Sequence, residues 1–157
     1  MWLGLAVAAI VAVADQAAKL WVLDFFAARP DQPPVLHLAP FFNLVLAGNR
    51  GMSFGLFNGA AGANTVVFTA LAAVIVLGLI AWLRRVQGSL LQLAIGLVIG
   101  GAIGNVADRL HRGAVVDFLD FHLGGWHWFA FNLADAAICV GVAVLLIDGL
   151  IGRRRSG

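Results

Sequence analysis

The sequence predicts an all-α membrane protein, in which four transmembrane helices carry a small extracytoplasmic β-rich segment on the membrane surface. Two observations predict this fold. Of 157 residues, 62% are apolar and 11% are charged, whereas charged residues make up about 25% of a soluble domain. Four apolar stretches are long enough to cross a hydrocarbon layer of about 30 Å. The length suits a single membrane-embedded domain, residues 1–157.

The predicted spans follow from the apolar stretches. They cover residues 2–23, 66–83, 90–107 and 129–151, which leaves external loops at residues 24–65 and 108–128. The third span contains Gly96, Gly100 and Gly104. Their four-residue spacing lets helix backbones approach closely in a membrane. Trp126 and Trp128 precede the fourth span, a position typical of an interfacial aromatic belt.

Basic residues predict the orientation of the spans. Arg84 and Arg85 lie in the short second connection, and three arginines follow the fourth span at residues 153–155. Because Lys and Arg near span ends favour the cytoplasm, we expect both of these segments there. Both termini are therefore predicted to be cytoplasmic.

The long first loop carries signals for strands. Residues 35–46 are rich in β-branched and aromatic side chains, and residues 48–51 form a Gly-Asn-Arg-Gly turn signal. This pattern predicts a short strand pair near the membrane surface. Residues 52–57 are too short to span, and we expect them to dip into the interface.

Composition excludes two kinds of partner. The ten Lys and Arg residues are spread thinly, without the basic stripe that nucleic-acid binding requires. The four histidines show no metal-ligand spacing. We therefore expect no nucleic acid, no metal and no other cofactor.

Carboxylates within membrane spans are costly, by at least about 2.5 kcal/mol each, and so mark candidate functional sites. Asp15 lies in the outer part of the first span, with Lys19 as its expected ion-pair partner one turn later. Further polar residues lie at the end of the third span and the start of the fourth: Asn105, Asp108, Arg109, Asn132 and Asp135. Since the first and third helices run outward and the fourth runs inward, all these residues should reach one pocket near the outer face.

The motif Asn-x-Ala-Asp occurs twice, ending at Asp108 and at Asp135. Between the two copies, Asp117 and Asp120 lie in a β-prone apolar segment that could fold back against the helices. Asp108 could instead form a helix-end ion pair with Arg109. Asp120 has no polar neighbour in sequence, and we expect it to be solvated. Spacing alone leaves open which of these aspartates pairs with Asp135.

Paired carboxylates suit peptide hydrolysis. Two that lie close together in a low-dielectric site cannot both ionise, so they share one proton. The ionised member can activate water, and the protonated member can stabilise the oxyanion and protonate the leaving amine. Ser53 and Ser89 lack a neighbouring His or Lys base, so neither is supported as a nucleophile.

Five ordered motifs resemble the signal peptidase II (lipoprotein signal peptidase) family, almost from end to end. They are DQAAK at residues 15–19, NRGMSFG at 49–55, GGAIGNVADR at 100–109, VVDF at 115–118 and FNLADAAI at 131–138. The resemblance implies one metal-free peptidase domain whose catalytic pair is Asp117 and Asp135. It also implies a set of residues that support the site or hold substrate: Asp15, Asn49, Asn105, Arg109 and Asn132. Lys19 and Asp108 are secondary candidates from the polar pattern.

The same resemblance implies a substrate and a location. The substrate would be a prolipoprotein cut just before a diacylglyceryl-modified cysteine, in contact with membrane lipid, and globomycin-type cyclic peptides should inhibit. We expect a monomer in the bacterial cytoplasmic (inner) membrane, with its active site near the extracytoplasmic face. Met52 and Ser53 stand where the family often has two alanines, which puts the shape of the pocket there in doubt.

Two alternative functions remain open from the residues. One is a small proton-coupled transporter, in which membrane carboxylates relay protons. The other is a non-catalytic assembly subunit that uses the glycine face of the third span. Clustering of the carboxylates on one side argues against the transporter.

Overall fold

The computed structural model describes the backbone of residues 1–50 and 61–155 and the side chains of residues 1–50 and 65–151. Its helices are α1 (Trp2–Ala27), α2 (Ala61–Leu83), α3 (Ser89–Arg112) and α4 (Leu133–Arg155). Its strands are β1 (Val35–Ala39), β2 (Phe42–Asn49), β3 (Val115–Leu123) and β4 (Trp126–His127). The interfacial segment expected at residues 52–57 lies outside the described residues.

Each of the four helices is long and apolar enough to cross a membrane, with a mean hydropathy between 1.7 and 2.7 in its most apolar window. At 1.5 Å per residue, the 26 residues of α1 extend about 39 Å. Each of the four helices extends beyond its predicted span at one end or both: α1 continues to Ala27, α2 begins at Ala61, α3 continues to Arg112 and α4 continues to Arg155.

Glycine contacts show how α1, α3 and α4 pack. A Cβ added at Gly96 would overlap the carbonyl oxygen of Gly4, and one added at Gly100 would lie 2.6 Å from the carbonyl oxygen of Ala8. These contacts advance together along both helices, so α1 and α3 are parallel. Gly101 packs in the same way against the Ala134 carbonyl of α4. The close packing predicted from the glycine spacing is confirmed.

Each end of the bundle holds its own apolar cluster. At one end, Leu83 of α2 packs with Ala8, Ile95 and Ile99 in a buried apolar cluster. At the other end, the sheet covers α1 through a second cluster, formed by Val22, Phe26, Leu44 and Phe118. The polar residues lie between these two clusters.

The sheet contains four antiparallel strands in the order β1-β2-β3-β4. The strand pair predicted at residues 35–46 is present, but β2 continues through Gly48 and Asn49, which pair with Val116 and Val115. The expected turn signal therefore begins inside a strand, because β3 supplies partners that lie far away in sequence. The register between β2 and β3 shifts between Leu44 and Ala47, as it does at a β-bulge.

The fourth helix begins at Leu133, four residues later than the predicted span. Asn132 acts as its N-cap: the Asn132 Oδ1 accepts a hydrogen bond from the Asp135 backbone N–H at 2.9 Å. In return, Asp135 Oδ2 accepts one from the Asn132 backbone N–H at 3.4 Å. This reciprocal pair is a capping box, in which the two residues satisfy each other's unpaired donors at the helix start. Residues 129–132 are therefore not helical.

Candidate active site

Polar residues from three helices meet at the sheet end of the bundle. Four of them are fully buried, namely Asp15, Lys19, Asp108 and Asn132, and Asn105 is 7% exposed. The convergence predicted from helix directions is therefore confirmed. Gly104 makes room for it, since a Cβ there would lie 2.5 Å from Asp15 Oδ2.

Lys19 lies at the centre of the buried charges. Its ammonium group is 2.8 Å from Asp15 Oδ2 and 2.9 Å from Asp108 Oδ2. The same nitrogen donates to Asn105 Oδ1 at 3.2 Å. A buried charge is tolerated only when it is paired and hydrogen-bonded, and Lys19 meets this requirement with three acceptors. The predicted pair of Asp15 and Lys19 is confirmed.

Asp108 pairs differently from the sequence prediction. Its oxygens are bound by Lys19 and by Arg112, whose Nη1 is 2.6 Å from Asp108 Oδ1. The predicted pairing with Arg109 is wrong, because a helix places residues four apart, not adjacent ones, on the same face. Asp108 Oδ2 also accepts the backbone N–H of Val116 at 3.0 Å. It thereby fixes the backbone next to Asp117.

Asp117 is held between a strand and the start of a helix. Asn132 Nδ2 donates to Asp117 Oδ1 at 2.7 Å, and the Asn49 side chain also hydrogen-bonds to this carboxyl group. Ala47 is the direct cross-strand partner of Asp117, which makes Asn49 a diagonal neighbour on the same face. Backbone hydrogen bonds of 2.8 and 3.0 Å join Phe131 to Leu119 and bring the start of α4 beside β3.

Asp135 faces the same group of asparagines from the first turn of α4. Its Oδ1 accepts a hydrogen bond from Asn105 Nδ2 at 2.7 Å. Asn132 thus contacts both Asp117 and Asp135 through different atoms. The first turn of a helix, with its unpaired N–H groups and positive dipole end, favours an anionic side chain.

Donor-only neighbours determine the orientation of both asparagine amides. The Lys19 ammonium can only donate, so it requires the oxygen of Asn105 on its side and leaves Asn105 Nδ2 to face Asp135. The Asp135 backbone N–H likewise requires the oxygen of Asn132, whose Nδ2 then faces Asp117. Each of the two aspartates therefore receives one oriented amide N–H.

The electrostatics make the Asp117 carboxyl easier to protonate than an ordinary aspartate. Burial raises the pKa of the Asp117 carboxyl to about 6; the hydrogen bond from Asn49 opposes this, and the negative charge of Asp135 adds to it. Arg109 brings a positive charge to the site and interacts electrostatically with Asp135 and Asp117. Its guanidinium carbon also lies 5.4 Å from the centre of the Phe68 ring of α2.

Asp120 is not solvated, contrary to the sequence prediction. It is only 7% exposed. Its carboxylate accepts a hydrogen bond from Asn43 Nδ2 at 2.8 Å and lies 2.9 Å from His127 Nδ1. Asn43 is its direct partner across the bulged ladder. Pairing between distant strands supplied polar neighbours that are absent from the local sequence. Among the described side chains, no group of three His, Cys or Asp residues could hold a metal ion.

Sequence reasoning missed three residues that pair with Asp108 or Asp120, away from Asp117 and Asp135: Gln16, Asn43 and Arg112. Gln16 Nε2 donates to Asp108 Oδ1 at 3.1 Å, Asn43 binds Asp120, and Arg112 binds Asp108. The i, i+4 spacing of Asp108 and Arg112 could have identified that pair. No local signal identified the other two. Met52 and Ser53, where the sequence departs from the resembled family, lie outside the described residues.

Comparison with known proteins gives one consistent result. The family model described as signal peptidase (SPase) II matches residues 7–151. The chain is 47% identical over 146 residues to a lipoprotein signal peptidase of Methylobacterium sp. (strain 4-46), covering 93% of this chain and 87% of the relative. It is 46% identical over 155 residues to that of Rhodopseudomonas palustris (strain ATCC BAA-98 / CGA009), covering 96% and 93% respectively.

A solved structure supports the fold. The chain matches, with a TM-score of 0.79 and 26% sequence identity, a structure described as a bacterial membrane enzyme determined by the in meso method at 2.3 Å resolution. The match covers 98% of this chain and 91% of that one. The four apolar helices and the small sheet are thus similar to those of a known membrane enzyme.

Proposed function

We propose that this chain, which belongs to the signal peptidase II family, cleaves its substrates with Asp117 and Asp135 as an aspartyl pair. The chain is a hydrolase that removes signal peptides from prolipoproteins, and it is a multi-pass protein of the bacterial inner membrane. The observation that carries the catalytic assignment is the position of Asn132, which hydrogen-bonds to both aspartates.

The two aspartates have environments that suit different roles. Asp135 lies in the first turn of α4 and is held by Asn105 and Asn132, and it takes a proton from the attacking water. The water oxygen bonds to the scissile carbonyl carbon. Asp117, whose pKa is raised to about 6 by burial, holds the proton that stabilises the oxyanion and then passes to the leaving amine as the carbon–nitrogen bond breaks.

The remaining family-implied residues surround this pair. Asn105 and Asn132 orient the two carboxylates, and Asn49 hydrogen-bonds to Asp117. Arg109 is partly exposed beside the pair, so its cation can bind a substrate carbonyl or carboxylate. Asp15 supports the site by accepting the Ala134 backbone N–H at 2.9 Å.

The substrate is a prolipoprotein whose lipobox cysteine carries diacylglycerol, and cleavage occurs just before that cysteine. The lipid-facing sides of the spans support this proposal, because large apolar residues such as Leu71, Val74 and Leu146 are exposed there. The lipid tails can therefore stay in the bilayer while the peptide reaches the aspartates. Globomycin-type cyclic peptides are expected to compete for the same site, and a monomer suffices because all the named groups come from one chain.

The active site faces the extracytoplasmic side, and both termini are cytoplasmic. Arg84 and Arg85 follow α2 at the end of the bundle opposite the sheet, where the positive-inside rule favours the cytoplasm. The sheet then lies on the outer membrane surface. Trp126, Trp128 and Phe129 are 65%, 61% and 83% exposed, as residues of an interfacial belt would be.

The test is cleavage of a diacylglyceryl lipobox peptide by the purified enzyme. Asp117→Asn and Asp135→Asn should each lower kcat by about 10²-fold to 10⁴-fold, because each removes a proton-transfer group. Asp31→Asn is the matched control, since Asp31 is exposed in the segment between α1 and β1. Near-normal cleavage by either site variant would refute the assignment, and ligand-driven proton flux in pyranine-loaded vesicles would revive the transporter.

A further inference from the structure

We propose that Lys19 is a positioning residue for Asp135 and that it acts through the side-chain amide of Asn105. This inference rests on the proposed function, because Asp135 must be a catalytic carboxylate for its positioning to matter. Lys19 itself does not contact either Asp117 or Asp135 by hydrogen bond or ion pair in the described part of the chain; its three acceptors are Asp15, Asp108 and Asn105.

The amide of Asn105 has two orientations of nearly equal shape, and only one places an N–H on Asp135. In that orientation the Asn105 oxygen accepts Lys19 Nζ and Asn132 Nδ2, both at 3.2 Å. The nitrogen of the same amide donates to Asp135 Oδ1 at 2.7 Å. If the amide turned over, its NH₂ group would face the ammonium of Lys19, and its oxygen would face a carboxylate oxygen.

Lys19 holds the Asn105 oxygen more strongly than Asn132 does. An ammonium group has three donors and no acceptor, and a charged hydrogen bond is about twice as strong as a neutral one. Asn132 donates to the same oxygen only through a neutral amide, whose nitrogen also binds Asp117. Replacement of Lys19 by an apolar side chain therefore removes the stronger donor that holds the Asn105 oxygen, and the Asn105 N–H is no longer held firmly on Asp135 Oδ1.

A simple structural role for Lys19 predicts different behaviour. In that case Lys19 only neutralises Asp15 and Asp108, and the loss would act on folding rather than on turnover. Arg112 provides the comparison, since its guanidinium also pairs with Asp108, at 2.6 Å, and its second side-chain contact is Gln16 instead of Asn105. Arg112→Gln thus removes a cation from the same charge cluster but leaves the amide orientation intact.

The experiment is a double-mutant cycle on kcat. The wild-type protein must first be shown to cleave the peptide, and Asp117→Asn and Asp135→Asn must be shown to abolish cleavage. A failure of the proposed function is then recognised separately. Lys19→Met should lower kcat by about 10-fold to 100-fold, as misplacement of a reacting group does, with KM changed by less than about threefold. Asn105→Ala should cost a similar factor, and the double variant should be no slower than Asn105→Ala, within about twofold.

Three further variants make the outcome decisive. Lys19→Arg keeps a donor-only cation and should retain more activity than Lys19→Met. Arg112→Gln should retain wild-type kcat. Lys19→Met combined with Asp15→Asn restores charge balance, and the substituted amide oxygen could still accept the Ala134 N–H; this double variant should recover thermal stability but not kcat. The proposal is overturned if the Lys19 and Asn105 effects multiply, if Arg112→Gln is as slow as Lys19→Met, or if restored charge balance restores kcat.

Discussion

At the scale of single residues, Asn49 tunes Asp117, the proposed acid of the aspartyl pair. Its hydrogen bond lowers the pKa of Asp117, against burial, which raises that pKa to about 6. If Asp117 must be protonated, kcat/KM should fall as pH rises through the pKa of this group in the free enzyme. Asn49→Ala removes the opposing hydrogen bond, so the basic limb of the profile should move to higher pH.

The measurement is the pH midpoint of kcat/KM for peptide cleavage. Asn43→Ala is a matched control on the same strand, because Asn43 binds Asp120 instead of Asp117. Its midpoint should equal that of the wild type. A limb that moves to lower pH in Asn49→Ala would contradict the proposed acid role of Asp117.

The raised pKa of Asp117 also affects stability. Its carboxyl group has a pKa of about 6 in the folded protein, against 3.8 for an ordinary Asp. As pH rises between these two values, the unfolded chain loses the proton while the folded protein keeps it, so stability falls across this window and levels off above it. Asp117→Asn removes this cost and should stabilise the protein above pH 6, by up to about 3 kcal/mol.

Thermal unfolding in detergent between pH 4 and pH 8 checks this prediction. The Tm of Asp117→Asn minus that of the wild type should be smallest at pH 4, should increase up to about pH 6 and should then stay level. A constant difference across the range would show that the pKa of Asp117 is the same in the folded and unfolded states. The measurement is independent of activity, so it also tests the inactive variant.

At the scale of elements, the junction of α3 and α4 depends on Gly101. A Cβ there would overlap the Ala134 carbonyl oxygen and lie 2.8 Å from Ile138 Cγ1. Gly101→Ala should push apart the helices that carry Asn105 and Asp135. We expect a loss of stability of about 1 to 3 kcal/mol and a fall in kcat of about 100-fold.

Gly78→Ala is the matched control for this prediction. Gly78 lies in α2, and a Cβ added there meets nothing within 4 Å. Activity and Tm of this variant should equal or exceed those of the wild type, since Ala is the better helix former. Equal losses in the two glycine variants would indicate a general effect of helix composition.

Sequence patterns predicted the elements that depend on local information. Hydropathy located the four helices, and helix direction placed Asp15, Asn105 and Asn132 together. The start of α4 was missed by four residues, because an apolar count includes residues 129–132, which are not helical. The Asn132-x-x-Asp135 capping box was visible in the sequence and would have corrected it.

Long-range pairing explains the other differences between sequence and structure. The bulge in β2 places Asn43 on Asp120 and Asn49 near Asp117, and no local pattern contains that register. Asp120 was predicted to be solvated for this reason. Which aspartate pairs with Asp135 likewise depended on the resemblance to a family, since the Phe131 backbone pairing that places α4 beside β3 is a tertiary contact.

At the scale of the whole molecule, the sheet and the proposed active site share one end of the bundle, and the N-terminus lies at the other. The N-terminal amine is 2.8 Å from Gln92 Oε1, near the start of α3. In the proposed orientation, with both termini in the cytoplasm, a C-terminal green fluorescent protein fusion should fluoresce, as it does only in that compartment. Alkaline phosphatase inserted at Gly124–Gly125, in the turn between β3 and β4, should be active.

These two fusions test the orientation together. The turn at Gly125 has a positive φ of 83°, and a Cβ there meets nothing within 4 Å, so an insertion need not disturb the core. An inactive phosphatase at this turn in a well-expressed fusion, together with a dark C-terminal fusion, would reverse the proposed orientation.

The spacing of Asp15 and Lys19 has a consequence for biosynthesis. Because the two side chains are one helical turn apart, α1 can enter the lipid bilayer from the translocon as a neutral pair before α3 is made. Asp108 then joins an ion pair that is already formed. Asp135 arrives only with α4, so under the proposed catalytic assignment the nascent chain cannot hydrolyse peptides until its fourth helix has been inserted.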